Sequence, residues 1–287
     1  GQIVSESGET VNILNTIKEN NLNIHLADRI PVDKDVTFHA SVDGLKREET
    51  AANHTATHLL HFALRQILGT HIEQKGSSVT SGSFRFDFSH FEKISEEHLR
   101  EVEKLVNKLI RQDIHKEEHR ELPIDQARAM GAMALFGEKY GDKVRVIKYG
   151  DSVELCGGTH ATSTGRIGSF KIVSESAVAA GVRRIEAITG RHVENAVYFM
   201  EDQIKSIRQL LGNAPDAIKG LMKVLAENDT QKKALQEVAL ERIHNLKKTL
   251  IQESQEINGI RIFSVRGAFV PDIIKNVAFE LHKEFEN

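Results

Sequence analysis

Along the first 45 residues, apolar and polar positions alternate with the period of a strand. Gln2-Ile3-Val4 and Thr10-Val11-Asn12-Ile13 flank Ser5-Glu6-Ser7-Gly8-Glu9, a segment suited to a hairpin turn. Val36-Thr37-Phe38-His39-Ala40 predicts another short strand before an Asp43-Gly44 turn. From Glu48 the period lengthens. Ala52, Thr55, Ala56, Leu59, Leu60, Ala63, Leu64, Ile67 and Leu68 recur at helical spacing up to Gly69, a glycine placed to cap a helix. Ser83 to Phe88 returns to strict alternation. Ser95-Glu96-Glu97 then opens a helix whose apolar face is Leu99, Val102, Leu105, Val106, Leu109 and Ile110. Strands are expected at Val144–Ile147, Ser152–Leu155, Ile167–Val173 and Val182–Ile188.

Beyond Gly190 the pattern is helical to about Ser254, with a break at Gly212-Asn213-Ala214-Pro215. One face carries Val193, Val197, Met200, Ile204, Ile207 and Leu211. The next carries Leu221, Leu225, Leu235, Val238, Ile243, Leu246 and Leu250, interrupted by Asn228 and Lys232. Such a stripe suits a helical hairpin or an imperfect coiled coil, and leaves dimerisation through this segment or the residues after it open. After Asn258-Gly259 come a strand, Ile260 to Val265, and a helix from Pro271-Asp272. The fold class expected is α+β. Residues 1–45 form a small β module, expected to lack strands upstream. Residues 46–190 form a domain of antiparallel sheet and helix. Residues 191–256 form a helical linker or hairpin, and residues 257–287 the start of a truncated globular domain. The chain begins at Gly1 without a methionine and is expected to be a piece of something longer.

Composition narrows the setting. With a single cysteine in 287 residues, the chain is no disulfide-stapled secreted domain. No apolar run reaches the length of a membrane helix and no basic-then-apolar leader opens the chain, so a cytoplasmic setting is expected, with no membrane partner. The net charge of -3 does not advertise a nucleic-acid binder, although a local basic face can work against an acidic remainder.

Two short segments carry the chemistry. His54-Thr55-Ala56-Thr57-His58 sets two imidazoles four residues apart in the expected helix, hence on one face and able to reach one ion. His61 lies on roughly the same face and competes as a ligand. By itself this pair could equally be two solvated histidines, since the chain holds 14. Cys156-Gly157-Gly158-Thr159-His160 follows a strand, and its glycines would permit a sharp turn bringing thiolate and imidazole into one space. The alternative there is a buried free thiol beside a turn. Taken together, His54, His58, Cys156 and His160 make a donor set that Zn2+ prefers, provided the fold joins segments about a hundred residues apart. Several zinc and phosphate chemistries are excluded: the glutamate of H-E-x-x-H is missing, as are the deaminase signature and a phosphate-cradling glycine loop.

The same segments carry a resemblance. His54 to His58, S-F-R-F-D-F-S-H-F from Ser83, G-A-M-A-L-F-G-E-K-Y-G-D from Gly131, E-L-C-G-G-T-H from Glu154 and G-V-R-R-I-E-A-I-T-G from Gly181 are similar to the editing region of the alanyl-tRNA synthetases. The likeness covers roughly residues 45–190, and the flanking segments suit that family's layout, whose aminoacylation domain is absent here. It implies zinc-dependent hydrolysis of tRNA(Ala) mischarged with serine or glycine, with His54, His58, Cys156 and His160 as the metal ligands and the acceptor end of tRNA(Ala) as partner. A second hydrolytic site is the general remedy where a pocket for alanine cannot exclude glycine by size or serine by one hydroxyl. Thr57, beside the metal pair, is the candidate for reading the serine hydroxyl, against the alternative of a helix threonine bonded to its own backbone. Gln74 resembles a residue of the family's editing pocket, or is a surface glutamine. Lys139, Arg145, Lys171, Arg183 and Arg184 could meet phosphates, or form a solvated basic face. Four protein ligands is the count of a closed structural site, whereas catalytic zinc keeps a position open. A non-catalytic RNA-binding module with structural zinc, and a free-standing deacylase acting in trans, are the rival readings.

Overall fold

The structure, a computed structural model, describes residues 1–20, 22–133 and 141–285. It divides into two compact units, Gly1–Phe199 and Met200–Asn287.

The first unit opens with β1 (Gln2–Ser5), β2 (Thr10–Glu19), β3 (Leu22–Ala27) and β4 (Phe38–Ser41), in a sheet ordered β3-β2-β1-β4. The expected hairpin is present, with Ile3 opposite Val11. β3 was not anticipated, although Leu22, Ile24 and Leu26 alternate with polar residues. Asp43 is not part of a turn between strands. It caps α1 (Gly44–Leu68), its Oδ1 accepting from the Lys46 N–H at 3.0 Å.

α1 is the central element. From Ala51 to Leu64 nearly every side chain is buried, on all sides of the helix, as in a helix wrapped by its own domain. The strands β5 (Gln74–Val79), β6 (Phe84–Ser89), β10 (Phe170–Ala179) and β11 (Val182–Thr189) form an antiparallel sheet ordered β10-β11-β6-β5. Phe84, Phe86 and Phe88 of β6 face inward and join Leu59, Leu60 and Leu64 of α1 in the core. The amphipathic α2 (Glu96–Arg111), capped by Ser95, closes the same core with Val102, Val106 and Ile110. Ile167 is not in a strand, as its apolar neighbours suggested. It belongs to a short 3-10 turn, Thr164–Ile167, and Gly168 at φ +80° separates it from β10.

A second, smaller core lies in the sheet of β7 (Glu117–Pro123), β8 (Lys143–Tyr149) and β9 (Ser152–Leu155), with α3 (Ile124–Ala129) packed on it through Ala127. β5 and β7 were not anticipated. Both are polar edge strands, Q-K-G-S-S-V and E-E-H-R-E-L-P, formed by their ladder partners rather than by any apolar alternation of their own. Residues 134–140, within the G-A-M-A-L-F-G-E-K-Y-G-D segment and including Lys139, lie outside the described residues.

α4 (Arg191–Leu210) contains the boundary between the units. In the second unit, Gly212 and Asn213 both adopt positive φ at the expected break, and Asp216 caps α5 (Ala217–Gln252). The hairpin β12 (Gln255–Ile257) and β13 (Ile260–Ile262) turns through Asn258 and Gly259, both at positive φ. The buried partner of α5 is α6 (Pro271–Phe285): Leu250 packs with Val277 and Leu281. Among the described residues no helix is long and apolar enough to cross a membrane.

Candidate metal centre

α1 and the segment after β9 meet in the first unit. One donor atom each from His54, His58, Cys156 and His160 lies within 4.8 Å of the others. His54 and His58 are one helical turn apart, with ring centroids 5.3 Å apart and nearly perpendicular planes. The Cys156 Sγ is 3.4 Å from His54 Nε2 and 3.2 Å from His160 Nε2. Tetrahedral zinc with bonds of about 2.0–2.3 Å has donor-to-donor edges of roughly 3.3–3.7 Å, so these separations suit a single ion.

The donors are held from behind. Thr55 Oγ1 is 3.2 Å from His160 Nδ1 and accepts from the Ala161 N–H at 3.0 Å, which leaves His160 Nε2 directed at the thiol. Tyr149 joins this network through its hydroxyl, in close contact with the Ala161 carbonyl, and burial pushes that phenol up to about 12. Asn53, fully buried, donates to the carbonyls of Thr80 and Ser81 and accepts from Thr189 Oγ1 at 2.7 Å, tying α1 to the loop before β6 and the end of β11.

On β9, Glu154 is 97% removed from solvent. Its Oε2 lies 3.3 Å from His58 Nε2, and its Oε1 accepts from His61 Nδ1 at 3.1 Å. His61 therefore stands outside the cluster for which it was a competing candidate, engaged with Glu154 and packed near the ring of Phe86.

The turn after β9 works differently from its sequence reading. Neither Gly157 nor Gly158 adopts a left-handed conformation. Gly158 is needed for space: a β-carbon there would fall 2.1 Å from His54 Cε1. Arg145 donates from Nη1 to the carbonyls of Cys156 at 2.8 Å and Gly158 at 2.7 Å, and from Nε to Glu118 at 2.9 Å. That guanidinium, with Arg120 and Lys116, holds Glu118 well below the usual carboxylate range. Arg145, a candidate for phosphate, is thus committed to shaping the turn. Lys171 pairs with Glu103, Arg183 with Glu175, and Arg184 with Asp87 through Nε and Nη2 at 2.6 and 2.8 Å.

Electrostatics keeps the imidazoles neutral. Burial, with the cost of a second proton beside His58, lowers His54 to about 4. Burial likewise depresses His58, against the pull of Glu154, and depresses His160. Neutral imidazoles offer lone pairs, and His58 Nδ1 is buried with no hydrogen-bond partner among the described residues. A buried orphan acceptor beside a thiol and two further imidazoles fits a soft divalent cation, and these four residues could hold one.

Thr57 and Gln74 are placed as follows. Thr57 is buried on α1 and its hydroxyl donates to the Asn53 carbonyl at 2.9 Å. Gln74 is half-buried at the start of β5, its amide donating to Ser77 Oγ at 3.0 Å.

Residues 144–186, which span Cys156 and His160, match the family described as the threonyl and alanyl tRNA synthetase second additional domain. The class that these residues resemble is therefore a synthetase-associated domain. Along its whole length the chain is 49% identical to an alanine–tRNA ligase of Porphyromonas gingivalis, covering 33% of that relative. It is 49% identical over 99% of its length to one of Bacteroides fragilis, and 46% identical over its full length to one of Christiangramia forsetii, covering 32% and 33% of them. Along its whole length the chain fits a fragment of an alanine–tRNA ligase, and it spans about a third of the length of the curated relatives it matches.

Proposed function

We propose that this chain is the editing segment of an alanine–tRNA ligase: a zinc-dependent deacylase that hydrolyses tRNA(Ala) mischarged with serine or glycine, in the cytoplasm. The reading is carried by one observation, the convergence within 4.8 Å of one donor atom each from His54, His58, Cys156 and His160, in a chain related throughout to these ligases. His54, His58, Cys156 and His160 would hold the ion. When bound, zinc supplies Lewis-acid polarisation of an ester carbonyl or of water. The reaction adds water across the ester linking the aminoacyl carbonyl to the terminal ribose, releasing amino acid and the free tRNA hydroxyl.

In this reading Thr57 and Gln74 line the aminoacyl pocket. The Thr57 hydroxyl spends its proton on Asn53, so toward substrate it acts as an acceptor, suited to a serine hydroxyl. Alanine has no side-chain donor and gains nothing from that contact, the asymmetry that separating serine from alanine requires; the contact does not act on glycine. The acceptor end of tRNA(Ala) is the partner.

The donor count of four favours a second reading, a structural zinc in a non-catalytic tRNA-binding module. One assay separates them. Ser-, Gly- and Ala-tRNA(Ala) are incubated with the chain, with chelator and after zinc is restored. Chelator-sensitive hydrolysis of the serine and glycine forms, with the alanine form spared, is expected. Inertness toward all three by a zinc-loaded, tRNA-binding chain would leave the structural reading standing alone.

A further inference from the structure

The zinc-ligand set leaves one buried charged group without a task. Glu154 lies in the interior between His58 and His61, its carboxylate oxygens 3.3 Å from His58 Nε2 and 3.1 Å from His61 Nδ1. A carboxylate enclosed this completely is costly unless its oxygens are matched by donors. The two histidines are three residues apart on α1 and so present the same face to β9. Glu154 and Cys156 are two residues apart at the end of β9, so one stretch of chain delivers both the thiol and the carboxylate to that helix face.

The geometry points to Glu154 as the positioning residue that decides which nitrogen of His58 is offered to the metal; the inference rests on the zinc reading above. An ionised carboxylate attracts an N–H and repels a lone pair, so it favours the proton on whichever nitrogen faces it, through a hydrogen bond at His61 and by an ion-pair approach at His58. On His58 that is Nε2, and the lone pair then resides on Nδ1, the atom that is buried without a partner among the described residues. On His61 it is Nδ1, whose hydrogen bond holds the other carboxylate oxygen and stops the carboxylate from turning away. His61 thereby acts at one remove, as the anchor of the group that orients a ligand. Metal-bound histidines commonly donate their second N–H to a carboxylate in this way, and loss of such a partner typically weakens binding about 10- to 100-fold.

The discriminating variant is Glu154→Gln. It preserves shape, so a role in packing alone would leave metal binding unchanged. The amide can donate as well as accept, which admits the tautomer that puts a proton on His58 Nδ1, toward the ion. Zinc affinity of the 287-residue chain, measured by competition with a chromophoric chelator, is expected to fall about 10- to 100-fold in Glu154→Gln. The visible spectrum of the Co2+-loaded protein is expected to shift with it. Long-range 1H–15N spectra of the unsubstituted, zinc-loaded chain test the same point without any variant, and are expected to show metal on His58 Nδ1 and a proton on Nε2. Unchanged zinc affinity and Co2+ spectrum in Glu154→Gln overturn the inference, as does metal on His58 Nε2. If Glu154→Gln does not fold, the spectra of the unsubstituted chain decide. Failure of the unsubstituted chain to take up zinc sinks the zinc reading as well, and so is distinguishable from failure of Glu154 alone.

Discussion

Gly158 is packed against the imidazole of His54 so closely that a β-carbon on the glycine would lie 2.1 Å from Cε1 and 2.6 Å from Nδ1. Its backbone needs no left-handed conformation, and the nearest atoms a methyl group would meet are those of that ring. Gly158→Ala is therefore expected to displace His54 while leaving the remote core intact. Zinc affinity should fall by at least about tenfold, with a thermal midpoint in the metal-free state close to that of the parent. Equal losses of stability and affinity would mean that the glycine serves the fold instead.

Arg145 grips two carbonyls of the turn and one carboxylate with a single planar group. Arg145→Ala should free the Cys156 turn and lower zinc affinity about tenfold. Arg145→Lys should not restore it, because one ammonium cannot span acceptors arranged for a fork. Competition titrations with a chelator read both variants; full recovery with lysine would show that only charge matters.

Asn53 makes three hydrogen bonds from a fully buried position. Asn53→Ala leaves the Thr189 hydroxyl and two carbonyls short of partners and is expected to cost about 2–3 kcal/mol. Urea unfolding of the metal-free chain measures it. A loss well under 1 kcal/mol would indicate that water replaces the amide.

The depressed histidines fix the direction of pH dependence. His54 binds its proton at about 4 in the folded state against 6.5 in the unfolded chain, and His58 and His160 are shifted the same way. Between those values the unfolded chain binds protons that the folded chain refuses. The stability present above 6.5 is therefore lost as pH falls toward about 4. Thermal unfolding across that window should show a falling midpoint, steeper with zinc bound because every ligand must be deprotonated. A midpoint flat or rising toward acid would contradict the burial of these imidazoles.

The strong periodic elements were legible because their signals are local. α1, β6, α2, β8, β9 and α5 follow from side-chain spacing that each element must satisfy to bury its own apolar face. The i and i+4 histidines and the Cys-to-His spacing were legible for the same reason. The polar edge strands β5 and β7 were not, since an edge strand is stabilised by hydrogen bonds to a neighbour that its own sequence does not name.

By itself, then, the sequence determined the helix that carries His54 and His58, the strand that delivers Cys156 and His160, and the chemical character of the four side chains. Only the tertiary structure decided what surrounds them. Glu154 reaches His61 across 93 residues of chain, Thr55 reaches His160 across 105, and the ring of His54 takes the space a side chain on Gly158 would need. Such contacts depend on how α1 and β9 pack, and packing at long range leaves no periodicity in either segment. The spacing within each element could name the candidate donors; which nitrogen each imidazole would present depends on neighbours brought from elsewhere in the chain.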